Sequence, residues 1–163
     1  MAVSAKLEVY AVRSLTKVLV DAFPSLTVQT GGWRGAVDDT LDEWLEIDIL
    51  SVDRAPRRRG VWNGRLMFQV VAFSRTASNR ADLQVDAPWE LASQVREALE
   101  TDLAVTALGD GGATQGILSV REGNMRYSLE PSVASTQDEQ NIGLLPADLH
   151  MVVLVFVGDL LAT

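Results

Sequence analysis

The sequence of 163 residues contains no cysteine and a single histidine, His150. Without thiolates, the chain can form neither disulfides nor sulfur-ligated zinc sites. A Ser-His-Asp triad would have to use His150, but this residue opens a hydrophobic strand pattern, which favours a structural position. The sequence also lacks a Gly-x-Ser-x-Gly elbow and a phosphate-binding loop. We therefore predict that the protein is not an enzyme and uses no cofactor or metal.

Lysines and long apolar runs are also scarce. Lys6 and Lys17 are the only lysines, the other twelve basic residues are arginines, and the net charge is −8. This balance argues against general nucleic-acid binding, because phosphate contacts need a positive surface. The longest apolar run, 151–157, is too short to cross a bilayer, and the first residues do not resemble a signal peptide. We expect a soluble protein that is made in the cytoplasm and does not associate with membranes.

Acidic residues are concentrated between positions 38 and 48, where six acids occur without a base. Asp38, Asp39, Asp42 and Glu43 raise the possibility of a calcium site, but the alternating ligands and central glycine of an EF-hand loop are missing. A solvated or partner-facing segment is the favoured interpretation.

Four arginines follow within the segment 53–60, namely Arg54, Arg57, Arg58 and Arg59. One interpretation is a solvated hairpin tip whose charges keep strand edges from aggregating. The functional alternatives are a phosphate contact or an arginine fork for the carboxylates of a partner, which could be another copy of this chain.

Hydrophobic periodicity predicts a single domain over 1–163, with helices at 4–22 and from about 86 to 103. Strands are predicted at 26–30, 44–52, 65–73, 115–122, 124–130 and 149–157. The fold class is α+β: a mixed or antiparallel sheet of about five to six strands, with two helices packed on one face. The strands at 44–52 and 65–73 form a long protruding hairpin in this prediction. Leu160 and Leu161 lie beyond the last predicted strand, where they could pack against another subunit.

The order of these elements resembles the tail terminator proteins of long-tailed bacteriophages, the lambda-type minor tail proteins that cap the tail tube. The resemblance covers almost the whole chain. It rests on the N-terminal helix, the acidic stretch ending in Trp44, the run Trp62-x-x-x-Leu66-x-Phe68-x-Val70, the single following helix and the β-rich C-terminal third. These are similarities of pattern, without a diagnostic motif.

The resemblance implies a homohexameric ring that docks on the last ring of tail tube protein, stops tube growth and joins the tail to head-completion or neck proteins. DNA would pass through the ring without specific binding, since an acidic lumen does not retain it. The protein would be assembled in the host cytoplasm and lie at the head-proximal end of the tail in the virion. The alternatives are a neck or head-completion protein of a tailed phage, or a monomeric, non-enzymatic binding module. The expected subunit or partner interface comprises Asp38, Asp39, Asp42, Glu43, Arg54, Arg57, Arg58, Arg59, Trp62, Leu160 and Leu161.

Overall fold

The computed structural model describes residues 6–30, 41–56, 62–75, 86–122 and 149–162. Its elements in chain order are α1 (Leu7–Ala22), β1 (Thr27–Thr30), β2 (Glu43–Pro56), β3 (Trp62–Arg75), α2 (Asp86–Leu99), β4 (Asp102–Thr106), β5 (Thr114–Glu122) and β6 (Leu149–Ala162).

The strands form one six-stranded sheet in the order β1-β2-β3-β6-β5-β4. β1 runs parallel to β2, and each of the other neighbouring pairs is antiparallel. Apolar residues of both helices share one buried cluster with one face of this sheet, including Phe68, Leu118 and Leu154. The predicted α+β class, with a mixed sheet and two helices on one face, is confirmed.

Helix α1 packs on the sheet because its apolar residues recur every three or four positions. Its buried residues include Tyr10, Ala11, Leu15 and Leu19. The helix ends at Ala22, just before Pro24, because proline cannot donate the next backbone hydrogen bond of a helix.

Polar contacts fix the N-terminal half of α1 over the turn between β4 and β5. Lys6 Nζ and Tyr10 OH both donate to Asp110 Oδ2, at 2.8 and 2.6 Å. The hydrogen bond and charge of Lys6 hold the pKa of the Asp110 carboxyl below its ordinary value. One turn further along, the backbone N–H of Thr106 donates to the buried Ser14 hydroxyl at 3.1 Å. These contacts fix the helix against β4 and the turn that follows it.

The boundary predicted for the second helix was wrong. Helix α2 ends at Leu99, and 102–106 forms strand β4. Leu103 and Val105 are buried, while Asp102 and Ala104 are exposed, which is the period of two expected for a strand. The sequence prediction extended the helical pattern of α2 into residues 100–103, which belong to the turn and the start of β4.

The predicted second hairpin, 115–122 with 124–130, stays a prediction: its first strand is β5, which pairs with β4 over 114–119 and with β6 over 116–122. The turn between β4 and β5 contains Gly109, Gly111 and Gly112, all with positive φ, a conformation that side chains disfavour. The predicted partner strand at 124–130 lies outside the described residues.

The two strands of the first hairpin pair from Glu43↔Ser74 to Pro56↔Trp62, with a bulge between Ile49 and Ser51. A protruding hairpin is not confirmed. From Asn63 onward β3 is also paired with β6, so the described part of β3 lies within the sheet rather than in a free ribbon. The hairpin's tip, 57–61, lies outside the described residues.

Gly116 provides a test of the packing at the end of β6. A Cβ at this position would overlap the backbone carbonyl oxygen of Leu161, which a side-chain movement cannot relieve. We expect Gly116→Ala to lower the free energy of unfolding by about 1–3 kcal/mol in urea titrations. Gly64→Ala is the matched control, because its new methyl group would meet atoms no closer than 3.5 Å. Equal losses in the two variants would contradict the register between β5 and β6.

Candidate interaction surface

The sheet face opposite the helices, here called the second face, has a buried part and an open part. In the buried part, Trp44 stacks on Phe73 with ring centroids 4.6 Å apart and planes within 9°. Val71 completes this cluster, and Met151 and Val153 pack against it. The cluster occupies the end of the second face where β2 begins.

Glu46 is a buried carboxylate beside this aromatic pair. Trp44 Nε1 donates a hydrogen bond to Glu46 Oε1 at 3.2 Å. Burial raises the pKa of Glu46, and the nearby charge of Asp48 acts in the same direction, although the hydrogen bond from Trp44 partly opposes the shift.

The open part of the second face carries a line of polar residues across five strands. Strand pairing places these residues directly opposite one another in the order Asp53 (β2), Arg65 (β3), Asp159 (β6), Ser119 (β5) and Asp102 (β4). We call this line the charged row. At the usual spacing between strands it is roughly 19 Å long.

Two side-chain contacts organise the charged row. Arg65 Nε lies 3.4 Å from Asp159 Oδ1, and Ser119 Oγ donates to Asp102 Oδ1 at 2.6 Å. The Arg65 and Asp159 side chains remain 62% and 43% exposed, so their ion pair contributes about 1 kcal/mol or less. The row contains three aspartates and one arginine, so its net charge is negative.

Apolar side chains lie on both sides of the charged row, and the exposed Arg121 lies on the same side as Met67 and Val157. Met67 and Val157 are paired on one side, and Leu161 and Ile117 on the other. Met67, Ile117 and Leu161 are 36%, 37% and 39% exposed. Exposed apolar side chains grouped on one face make this part of the second face a candidate for contact with another protein.

The structure tests only part of the predicted interface. Asp38, Asp39, Arg57, Arg58 and Arg59 lie outside the described residues. Arg54 lies in β2 opposite Gly64, and Trp62 begins β3 opposite Pro56, but the side chains of both lie outside the described part. These seven residues remain predictions.

Asp42 and Glu43 are described, and they lie at the other end of β2 from Arg54. Asp42 is exposed just before the strand, and Glu43 Oε1 accepts a hydrogen bond from Ser74 Oγ at 3.4 Å. The eleven-residue separation of Glu43 and Arg54 along this strand corresponds to roughly 35 Å. The structure therefore does not bring these acidic residues together with Arg54 in one subunit.

The prediction for the C-terminal leucines requires a correction. Both residues lie within β6 rather than beyond it. Leu160 is 3% exposed and belongs to the cluster beneath the helices, so it serves the subunit core and is unavailable to a partner. Leu161 lies on the second face and is 39% exposed, so its predicted contact with another subunit stays a prediction.

Sequence reasoning missed the charged row as a unit. Alternation within each strand could have identified Arg65, Ser119 and Asp159 as residues facing away from the helices. Only the register between strands brings them together, and the sequence does not specify it.

The described residues show no metal site and no membrane-spanning helix. Across the described ranges, no group of three histidine, aspartate or glutamate side chains could hold a metal ion. His150 pairs with Ser74 in the sheet. No helix in the described part of the chain is long and apolar enough to span a membrane.

The sequence matches no model of a known protein family and no curated protein sequence.

Glu46 should make stability depend on pH. Its folded-state pKa lies above its ordinary value of 4.5, so the native state binds the proton more tightly than the unfolded state. Protonated Glu46 therefore contributes to the free energy of unfolding. This contribution is fully present below pH 4.5 and is lost as the pH rises through the raised pKa of Glu46. We expect Glu46→Gln, which keeps an acceptor for Trp44, to be more stable than the wild type at about pH 7, with a smaller difference at about pH 4. Chemical denaturation at both pH values measures this, and a pH-independent difference would contradict it.

Leu160 and Leu161 form a matched pair for separating folding from association. Leu160→Ala should lower the free energy of unfolding by about 2–5 kcal/mol, because it leaves a cavity in the core. Leu161→Ala should change it by about 0.5 kcal/mol or less and weaken self-association instead. Urea unfolding and sedimentation velocity measure the two effects. A large loss of subunit stability in Leu161→Ala would place this residue in the core as well.

Proposed function

We propose that the protein is a structural virion component of a long-tailed phage, a ring-forming tail terminator that stops tail tube growth and joins the tail to the head or neck. The observation that carries this proposal is the open part of the second face. There, the exposed Met67, Ile117 and Leu161 lie beside the charged row. These exposed apolar side chains are available for contact with another protein.

The layout of the fold supports an assembling protein. Both described helices contribute to the cluster on one side of the sheet, and the charged row lies on the other side with Asp53 and Asp102 exposed. The order of a helix, a hairpin, a second helix and a β-rich C-terminal third is also the order on which the resemblance to tail terminators rests. Such proteins act by assembly and need no catalytic group.

The charge balance supports a channel through which DNA passes. The net charge of −8 opposes retention of a polyanion in a ring lumen. In this proposal the tail tube protein and the head-completion or neck protein are the other partners, and the ring lies at the head-proximal end of the tail.

A neck or head-completion protein is the second candidate, because an assembling surface of this kind would suit either position. A monomeric binding module is the third, and it differs in requiring no contact between copies. The ability to cap a tail tube distinguishes the first candidate from both.

Assembly provides the test of this proposal. We expect light scattering and electron microscopy of the purified protein, alone or with tail tube protein, to reveal a ring of about six subunits. Added to polymerising tube protein, it should shorten the tubes and occupy one end.

A chain that remains monomeric at all concentrations, in low salt and with tube protein would contradict the ring. A ring that leaves tube length unchanged would favour the neck or head-completion alternative.

A further inference from the structure

We propose that the charged row is the docking site for the arginine segment, residues 54–59, of a second copy of this chain. This inference rests on the proposed function, because both require that copies of the chain contact one another. It goes further by naming both sides of that contact, which would hold whether the assembled ring caps a tube or joins a neck.

Charge is the first argument. The charged row presents Asp53, Asp102 and Asp159 against the single Arg65. Asp53 and Asp102 are exposed at its two ends, and Asp159 is 43% exposed near its middle. A partner with two or more positive charges spread over about 19 Å could pair with Asp53 and Asp102 at the two ends of the row. The segment 54–59 supplies four arginines within six residues, and arginine is the side chain best suited to paired hydrogen bonds with carboxylates.

The apolar flanks are the second argument. Met67 lies on one side of the row, and Ile117 and Leu161 lie on the other, each more than one-third exposed. A soluble polycation or a metal ion would leave these side chains in water. A protein segment can cover them while its arginines contact the aspartates, and Pro56 and Trp62 adjoin the arginines in the sequence. Burial of apolar surface would then accompany the ion pairs.

Chain geometry favours a second copy over the segment's own subunit. Pro56 pairs with Trp62, so both ends of the segment are attached to β2 and β3. In the same subunit, Asp53 is the aspartate of the row nearest to the segment, because it lies in β2 just before Arg54. Asp102 lies on β4, three strands away from β3. The segment of another copy is attached only to its own β2 and β3, so the arrangement of the two copies can bring it to any part of the row.

The same charges determine how the copies would be arranged. Placing two charged rows face to face would bring aspartates against aspartates, which is unfavourable. Docking the arginine segment of one copy on the row of the next uses two different surfaces. Contacts of this head-to-tail kind close into rings when the rotation between copies permits.

The absence of cysteine allows a direct test by disulfide trapping. One variant carries Ile117→Cys beside the charged row, and a second, with a size tag, carries Arg58→Cys. The control pairs Arg58→Cys with Ser93→Cys, which is exposed on α2. After mixing and mild oxidation, denaturing gels measure the heterodimer. We expect Ile117→Cys to give about tenfold more heterodimer than Ser93→Cys, with the difference largely lost in about 1 M salt.

Changing Asp53, Asp102 and Asp159 to Asn in the Ile117→Cys chain should also reduce the heterodimer several-fold. Circular dichroism checks that each variant is folded. The Ser93→Cys control measures how often two exposed thiols meet by chance. The change of the three aspartates to Asn measures how much of the trapping depends on the charge of the row.

The outcomes separate this inference from the proposed function. Equal trapping at Ile117→Cys and Ser93→Cys would overturn the inference, even if electron microscopy shows rings. Trapping within a single chain that carries both Arg58→Cys and Ile117→Cys, without heterodimer from the mixture, would also overturn it, because the segment would then dock in its own subunit. Specific heterodimer without rings would support the contact while contradicting the terminator.

Discussion

The pairing of β3 with β6 is the constraint on which the rest of the structure depends. These strands pair from Asn63↔Leu161 to Arg75↔Leu149 in the centre of the sheet. On the helix side, the pairing stacks Phe68 on Phe156 with centroids 5.3 Å apart, within the main core. On the second face, it aligns Arg65 with Asp159. A shift of one residue would exchange the two faces, exposing the aromatic core and burying the charges.

Much of the fold could be predicted because its elements have clear periodicity. The stripe on α1 and the alternation in β2 and β3 each place apolar residues on the side where the core lies. Strand β4 was missed because five residues after a helix are too few to distinguish a new period from a continuation of the old one. Leu160 was placed outside the core because β6 continues through Gly158 and Asp159, which interrupt its hydrophobic run.

The candidate site was less predictable than the fold, for a physical reason. Asp53 and Asp102 are far apart in sequence, and three intervening strands bring them into one line. Strand periodicity determines which face a residue occupies, whereas register determines its neighbours. Register follows from the combined packing of all six strands. The sequence did show a dense arginine segment, but its best-matched carboxylates became visible only once that register was known.

In the open part of the second face, exposed apolar side chains lie beside charged ones. Exposed Met67, Ile117 and Leu161 would attract many apolar surfaces if they formed one patch. The charged row separates Met67 from Ile117 and Leu161, so a partner that covered all three would also desolvate charged side chains of the row. That desolvation is unfavourable unless the partner supplies matching charges. The apolar flanks can therefore stabilise a contact while the row restricts which surface makes it, since a mismatched surface would leave charges buried without partners.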